Sequence, residues 1–255
     1  MGLPVEKLVI STNENDILDR FWKSGRYEKK AAHGAEAEGG IAQDGSKAHE
    51  DGVRETLSPA MDILVSSNFE RLLWFLAYEF AAGAKMDDEW NKKQAGQEVE
   101  GWLKELKTKG GFGVHADILK AAHRDFESER VSDEQTLETI KQFYLAPEAN
   151  GAKGGYILDP HSAVGVAASL RSIKRTSAET HHISLATAHP AKFANAVDLA
   201  LKHEPGFSFD AVLPEEFVGL EKKERRVRLV PKGAGWEGVR SIVEEEVEAE
   251  LKGTR

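Results

Sequence analysis

The sequence predicts an α/β protein: part of a doubly wound, mainly parallel sheet with helices on both faces, plus an inserted helical subdomain. Short apolar runs alternate repeatedly with segments of helical periodicity, which is typical of parallel strands connected by helices. Helical periodicity fills residues 86–145 and indicates the inserted subdomain. With 255 residues, the chain is long enough to bury a substantial core.

The first strand and helix are predicted between residues 6 and 23. Leu8–Ile10 form the apolar run of a strand, and Asn15 or Asp16 can cap the helix that follows. The helix repeats apolar side chains at helical spacing: Ile17, Leu18 and Phe21. We assign residues 1–80 to the start of the α/β portion.

An insertion interrupts this portion at residues 28–54. The segment has almost no large apolar side chains and is rich in alanine, glycine and charge. Because it cannot bury enough surface to become ordered, we expect a disordered surface insertion.

A second strand and helix are predicted after the insertion. Ile63–Val65 suggest a short strand, and Ser66 and Ser67 are candidate caps for the helix that follows. The helix repeats large apolar side chains at helical spacing: Phe69, Leu72, Leu73, Leu76 and Phe80.

Residues 81–148 are predicted to form the helical subdomain. Ser132 resembles a cap in "SDEQ", and the glycine-rich "KGGFG" at 109–113 is predicted to be a connector between two helices. A glycine cluster without a strand before it and a helix after it is weak evidence for a phosphate-binding loop.

Two further strand-to-helix units are predicted within residues 149–203. The first has a strand at 156–158, a turn at Asp159–Ser162 and a helix of small side chains that suits close packing on a sheet. In the second, Ile183 and Leu185 alternate with polar residues in a strand, and Pro190 suits the first turn of a helix.

The remaining residues, 204–255, are predicted to add one strand and one amphipathic helix. The strand is "RVRLVP" at 226–231. The helix places apolar side chains on one face: Val239, Ile242, Val243, Val247 and Leu251. The run Glu244–Glu246 is then a solvated face.

Composition and charge argue against several classes of protein. Lys and Arg number 34 against 43 for Asp and Glu, so the net charge of −9 disfavours a nucleic-acid partner. The absence of cysteine excludes disulfides and thiolate chemistry. No apolar run is long enough for a membrane span, and no metal site is predicted, since the adjacent His181 and His182 would point to opposite faces of a strand. We therefore expect a cytoplasmic protein with no membrane partner.

Four segments, taken in order, resemble the threonine synthase family, in particular its fungal form: "STNENDILDRF", "ETLSPAMDILVSSNFERLLW", "YILDPHSAVGVAA" and "LATAHPAKF". Each motif is short, and the specificity lies in their order and combination. The resemblance covers residues 1–25, 55–80 and 155–200 well and 205–245 moderately, is weak in the helical block and is absent from 28–54.

This resemblance implies a fold-type-II pyridoxal-phosphate enzyme. It would convert O-phosphohomoserine and water into L-threonine and phosphate, with the cofactor supplying the carbanion chemistry. The hydroxyl in "LATAHP", which is Thr187, is then expected to hydrogen-bond the pyridine nitrogen of the cofactor. Without the resemblance, Thr187 is better explained as a cap of the helix that starts near Pro190.

The other candidate site residues each have a structural alternative. His189 and Lys192 lie where a substrate phosphate or carboxylate could bind at a helix start, or they form a solvated pair. His161 would face the same rim, although a histidine bonded to a nearby carbonyl explains it as well. Asn13 and Asn15 would line the cleft mouth, or serve turn and capping chemistry.

The resemblance also implies parts that this sequence lacks. The lysine that forms the Schiff base and the loop that holds the cofactor phosphate belong to the N-terminal half of the family's enzymes, so no catalytic residue is assigned here. Lys153, among glycines, is expected to be solvated. We therefore expect a C-terminal half, incomplete relative to the family, that is inactive without its N-terminal half.

Two other readings stay open. The chain could be a non-catalytic relative retained as a binding or regulatory module. It could also be an unrelated α/β ligand-binding domain, in which case Thr187 would lie far from His161 and Asn15. A half-enzyme would expose strand edges and apolar surface, so poor solubility or self-association is expected.

Overall fold

The computed structural model describes residues 4–29, 52–83, 87–146, 155–225 and 227–253. The chain divides into two compact units, Met1–Val212 and Leu213–Arg255, each of which is described by itself. Among the described residues, no helix combines the length and the apolar composition that a membrane crossing requires.

Twelve regular elements lie in the described part of the chain. The strands are β1 (Leu8–Thr12), β2 (Arg26–Glu28), β3 (Gly111–Gly113) and β4 (Phe126–Arg130). The helices are α1 (Ile17–Ser24), α2 (Phe69–Ala82), α3 (Asp88–Lys109), α4 (Ala116–Asp125), α5 (Asp133–Leu145), α6 (Pro160–Ile173), α7 (Ala194–Leu201) and α8 (Gly235–Leu251).

The one parallel sheet in the described residues has two strands. β1 pairs with β4 from Leu8 opposite Phe126 to Thr12 opposite Arg130. The first strand and α1 are confirmed, although Asp16 occupies the N-cap position of α1 without a side-chain capping bond. The prediction of an all-helical block was wrong at β4, because its "FESER" sequence carries little of the apolar signal that marks a buried strand.

A second, antiparallel pair joins β2 to β3, with Tyr27 opposite Phe112. The "KGGFG" segment is therefore a strand as well as a connector. A Cβ added to Gly111 would lie 2.6 Å from the Glu28 Cγ atom and 2.9 Å from the Tyr27 carbonyl oxygen. Glycine at this position lets the two backbones approach, which is a recognised meaning of glycine in a strand.

An aromatic core joins α1, α2, α3, α4 and the β2–β3 pair. Phe21 lies at its centre, with ring centroids 5.0 Å from Phe69 and 5.2 Å from Trp22. The helix predicted from Phe69 is confirmed, but the strand predicted at Ile63–Val65 was wrong. Only Leu64 of that run is buried, while its neighbours are half exposed and pair with no described strand.

The caps predicted for α2 and α5 had different outcomes. Asn68, and neither Ser66 nor Ser67, occupies the N-cap position of α2, with no side-chain capping bond. Ser132 caps α5 as predicted, in a capping box with Gln135.

A second core lies between α5, α6 and α7, around Ile140, Ala163 and Val197. The helix of small side chains is confirmed as α6, whose Ala163 and Val164 are fully buried. Residues 156–158 are not a strand, and the predicted turn at Asp159–Ser162 is the first turn of α6, with Asp159 as its N-cap and Pro160 at its first position.

The predicted insertion at 28–54 lies mostly outside the described residues. Its two ends are structured, so the segment predicted to be disordered is shorter than 28–54. Glu28 belongs to β2, and the Arg54 N–H donates to the Asn15 Oδ1 atom at 2.8 Å.

The second unit contains α8, preceded by two short 3₁₀ helices, Glu215–Phe217 and Leu220–Lys222. The amphipathic helix is confirmed, with Val243 and Val247 about half exposed. The strand predicted at 226–231 does not form among its described residues, where Val227 and Leu229 are exposed.

Candidate functional site

A polar cluster forms where β1 ends. The Asp62 Oδ1 atom accepts hydrogen bonds from Asn13 Nδ2 at 2.8 Å, from Asn15 Nδ2 at 3.0 Å and from Thr56 Oγ1 at 2.7 Å. The Asn15 amide also donates to the Arg54 carbonyl at 2.9 Å. Because Asn13 and Asn15 are buried and their amides are already bonded, the structure favours their turn chemistry over open cleft contacts.

This cluster continues to the start of α5. The Leu57 N–H donates to both carboxylate oxygens of Asp133 at 3.2 Å. Burial raises the pKa of Asp133, the Leu57 hydrogen bond acts in the opposite direction, and the charges of Glu14 and Asp62 raise it further. The end of β1 therefore gathers several carboxylates, and Glu14 among them forms ion pairs with Arg54 and Arg130.

His161 lies buried in the first turn of α6. The Ala60 N–H donates to its Nε2 atom at 3.0 Å, so Nε2 carries no proton. The Nδ1 atom is then the protonated nitrogen, and it donates to Asp159 Oδ1 at 3.2 Å. The ring also lies 4.4 Å from the ring of Phe193. Both ring nitrogens are occupied, which supports a structural role for His161.

Thr187 lies beside the same helix start. Its backbone N–H donates to Ser162 Oγ at 3.1 Å, while its side chain is exposed and its hydroxyl makes no hydrogen bond to any described residue. The predicted strand at Ile183 and Leu185 is absent. These two side chains are 84% and 79% exposed, on an irregular segment that pairs with no strand in the described chain.

His189, and not Thr187, caps the turn that begins at Pro190. The His189 Nδ1 atom accepts a hydrogen bond from the Ala191 N–H at 3.2 Å, at the start of the 3₁₀ helix Pro190–Phe193. Lys192 is exposed in that turn. The capping explanation of Thr187 was therefore wrong, and its hydroxyl is left facing solvent.

The structure brings most of the predicted residues into one connected region. Asp159 and Ser162 link His161 to Thr187, and the segment that carries Ala60 links His161 to the cluster of Asn13 and Asn15. The importance of Asp159 and Ser162 was missed. An Asp followed by Pro is the signature of a helix N-terminus, and it could have identified both residues as the start of α6.

Comparisons with known proteins show what the chain is similar to in sequence. Residues 162–243 match the family model described as "Threonine synthase, C-terminal". Over 249 residues, the chain is 48% identical to the threonine synthase of Saccharomyces cerevisiae, covering 97% of this chain and 43% of that protein. The chain thus spans less than half the length of this relative.

Two solved structures extend the likeness to the fold. The crystal structure of threonine synthase from yeast matches with a TM-score of 0.78 and 47% identity, over 97% of this chain and 43% of that one. The structure of threonine synthase from Brucella melitensis bound to pyridoxal phosphate matches with a TM-score of 0.61 and 35% identity, over 88% and 37%. By sequence and by fold, this chain is therefore similar to the C-terminal part of threonine synthases.

Proposed function

We propose that this chain forms the C-terminal part of a pyridoxal-phosphate-dependent threonine synthase, a lyase that converts O-phosphohomoserine and water into L-threonine and phosphate. The observation that carries the proposal is the 48% identity to the yeast enzyme across nearly the whole chain. The placement of Thr187 supports it, because the backbone of this residue is fixed to α6 while its hydroxyl stays open to a ligand.

The Thr187 hydroxyl is suited to one contact with the cofactor, a hydrogen bond to its pyridine nitrogen. A threonine hydroxyl both donates and accepts, so it can bond a pyridine nitrogen without forcing that nitrogen to be charged. Pyridoxal phosphate, when bound, supplies the electron sink for carbanions formed on the substrate. The part of this chain is to hold the ring in one orientation through Thr187.

Substrate contacts are proposed at the neighbouring turn. His189 and Lys192 lie at the start of the 3₁₀ helix, and Lys192 is exposed, so its ammonium is open to a phosphate or carboxylate. An indirect role is proposed for Asn13, Asn15 and His161, because their polar groups are already hydrogen-bonded within the protein. They would hold the shape of the site without touching the substrate.

The groups that complete the site are proposed to come from polypeptide outside these 255 residues. They are the lysine that forms the Schiff base and the loop that binds the cofactor phosphate. The extended segment around Ile183 and Leu185 supports this proposal, because an apolar segment without a neighbouring strand suits the inside of a larger sheet. A doubly wound sheet would then form only in the complete enzyme.

The division into 1–80, 81–148, 149–203 and 204–255 stays a prediction, as does the cytoplasmic location. Limited proteolysis tests the first, through the positions of the early cuts, and cell fractionation tests the second.

A graft onto the yeast enzyme tests the proposed function. The matching C-terminal part of the yeast threonine synthase is replaced by this chain, and the product is assayed for phosphate release from O-phosphohomoserine and for threonine. The grafted enzyme is expected to form threonine, and the 255-residue chain alone is expected to form none. Thr187→Val in the graft should lower activity by about 10-fold or more, the effect of losing a hydrogen bond that orients the reacting group.

The same experiment separates the second candidate function. A non-catalytic binding module would give a folded graft that binds pyridoxal phosphate and forms no threonine. A graft that folds and neither binds the cofactor nor forms threonine would overturn both readings. Threonine formation by the 255-residue chain alone would contradict the proposed division of the site.

A further inference from the structure

Ser162 connects Thr187 to the buried start of α6. Its Oγ atom accepts a hydrogen bond from the Thr187 N–H at 3.1 Å and donates its proton to Asp159 Oδ2. A hydroxyl has one proton, and this one goes to a carboxylate that only accepts, so the direction of both bonds is fixed. Ser162 is 3% exposed and Asp159 is 2% exposed, so the bond between them is buried, whereas the bond from the exposed Thr187 is part-buried.

Asp159 is itself held rigidly. Its Oδ1 atom accepts from the backbone N–H of His161 at 2.9 Å and from that of Ser162 at 3.2 Å, as an N-cap does. The His161 ring donates to the same oxygen and accepts from the Ala60 N–H. The carboxylate that orients Ser162 therefore cannot rotate without breaking the first turn of α6.

The segment that carries Thr187 depends on α6 for its position. No backbone–backbone hydrogen bond joins residues 183–186 to any other described residue. Side-chain hydrogen bonds to α6 hold the segment instead. The Ser184 hydroxyl contacts Ser169 at 2.7 Å and donates to the Gly165 carbonyl at 3.4 Å, and Ser162 accepts from Thr187. The spacing of these contacts is the same on both sides. Ser162 and Ser169 are seven helical residues apart, and Ser184 and Thr187 are three residues apart, which in extended chain is the same distance of roughly 10 Å.

We propose that Ser162 is a positioning residue for Thr187, a role that rests on the proposed function. Asp159 orients the Ser162 hydroxyl, and that hydroxyl fixes the Thr187 backbone so that its side chain meets the pyridine nitrogen of the cofactor. Ser169 holds the other end of the segment and does not touch Thr187. The pair Ser162 and Ser169 thus offers a test and a matched control on one helix.

The first test needs no cofactor. In the 255-residue chain, Ser162→Ala should raise the hydrogen-exchange rate of the Thr187 amide about 10-fold, as expected for loss of one ordinary hydrogen bond. Ser162→Thr keeps the hydroxyl and should restore protection, and Ser169→Ala should leave the Thr187 amide unchanged. If Ser162→Ala does not fold, Ser162→Cys gives the same comparison with a weaker hydrogen bond.

The second test uses the grafted enzyme loaded with pyridoxal phosphate. Ser162→Ala should shift the absorbance band of the bound cofactor and weaken its binding several-fold, as Thr187→Val does, whereas Ser169→Ala should change neither. Because both residues act through one contact, the double variant Ser162→Ala with Thr187→Val should be no worse than Thr187→Val alone. Ser162→Thr should recover the absorbance band, which a merely structural role would not require.

The outcomes distinguish two claims: that Thr187 contacts the cofactor, and that Ser162 positions Thr187. If Thr187→Val leaves the cofactor's absorbance and affinity unchanged, the proposed contact of Thr187 fails, and the role of Ser162 fails with it. If Thr187→Val changes both and Ser162→Ala changes neither, the contact stands and the positioning role of Ser162 is overturned. An unchanged Thr187 exchange rate in Ser162→Ala also overturns it.

Discussion

Tyr27 places a hydroxyl group in the aromatic core, where it makes two hydrogen bonds to the backbone. Its hydroxyl donates to the Leu64 carbonyl at 3.0 Å and accepts from the Ser66 N–H at 3.3 Å. The residue is 2% exposed, and its bond to the Leu64 carbonyl is buried while that from the Ser66 N–H is part-buried. One side chain therefore holds the turn that precedes α2 against β2.

Tyr27→Phe should lower the free energy of unfolding by about 1–2 kcal/mol, because it leaves the Leu64 and Ser66 backbone groups unpaired while keeping the ring. Urea unfolding at neutral pH measures this change. Tyr78→Phe is a matched control, since the Tyr78 hydroxyl bonds only the exposed Asp88 carboxylate among the described residues. A loss no larger for Tyr27→Phe than for Tyr78→Phe would contradict the assigned role.

The same hydroxyl makes the stability depend on alkaline pH. Burial raises the pKa of Tyr27, and the hydrogen bond from Ser66 only partly opposes this. The folded state then favours the neutral phenol. Its contribution to stability is intact below a pH of about 10, where tyrosine ionises in the unfolded chain, and is lost as the pH rises from there through the raised pKa of the folded state. Tyr27→Phe should flatten that part of the profile of stability against pH.

At the scale of residues, the sequence was informative about chemistry and uninformative about partners. Asn13, Asn15 and His161 could be picked out by type, but several of the atoms that bond their polar groups, such as the Arg54 carbonyl and the Ala60 N–H, lie 39 to 101 residues away along the chain. Ser162 carried no signal of its own. Its importance depends on the approach of Thr187, which is a fact of tertiary structure.

At the scale of elements, helices were predicted well and short strands were not. α1, α2, α5, α6 and α8 have apolar periodicity or caps that can be read locally. β2 and β3 are three residues each, and β4 is mostly polar. Their formation depends on pairing with distant segments, which no local pattern encodes. The predicted strands at 63–65 and 156–158 show the converse, since apolar runs without a neighbouring strand stay irregular.

Gly111→Ala should disrupt the pairing of β2 with β3. The new methyl group would meet the Tyr27 carbonyl and the Glu28 side chain at less than contact distance, so the backbone must move. The expected loss is about 1–3 kcal/mol of unfolding free energy, as for other overpacked sites. Thermal unfolding, with the near-ultraviolet circular dichroism of the aromatic core as the probe, measures it.

Gly96→Ala is the matched control for this substitution. Gly96 lies inside α3, and a Cβ built there meets nothing within 4 Å. Alanine should stabilise the helix by up to about 1 kcal/mol, because glycine is costly in a helix interior. The two substitutions should therefore have opposite signs. A stabilising effect of Gly111→Ala would show that β2 and β3 do not approach as described.

At the scale of the whole molecule, the order of four short motifs indicated a resemblance to threonine synthases, and the comparisons confirm that resemblance. The sheet is the part that could not be predicted. Its strands were expected to neighbour one another, and the described residues hold only two separate pairs. The sequence of a strand can indicate that it is a strand, but it does not indicate which other strand pairs with it.

The exposed apolar segment around Ile183 and Leu185 should make the isolated chain self-associate. Two large apolar side chains, 84% and 79% exposed, stand on a backbone without ladder partners in the described residues, which is a template for pairing between copies. The double substitution Ile183→Thr with Leu185→Thr should lower the apparent mass measured by light scattering across a concentration series. It should leave the unfolding midpoint nearly unchanged, because neither side chain is packed.

Val5→Thr is the control, since Val5 is 62% exposed and lies outside that segment. It should leave self-association as it is in the unmodified chain. The double substitution should also weaken the graft onto the yeast enzyme, because the same side chains would there be buried against neighbouring strands. Two results together would contradict the view that this segment is an interior strand in the complete enzyme. They are an unmodified chain that is monomeric at all concentrations and a graft that keeps its activity with both threonines.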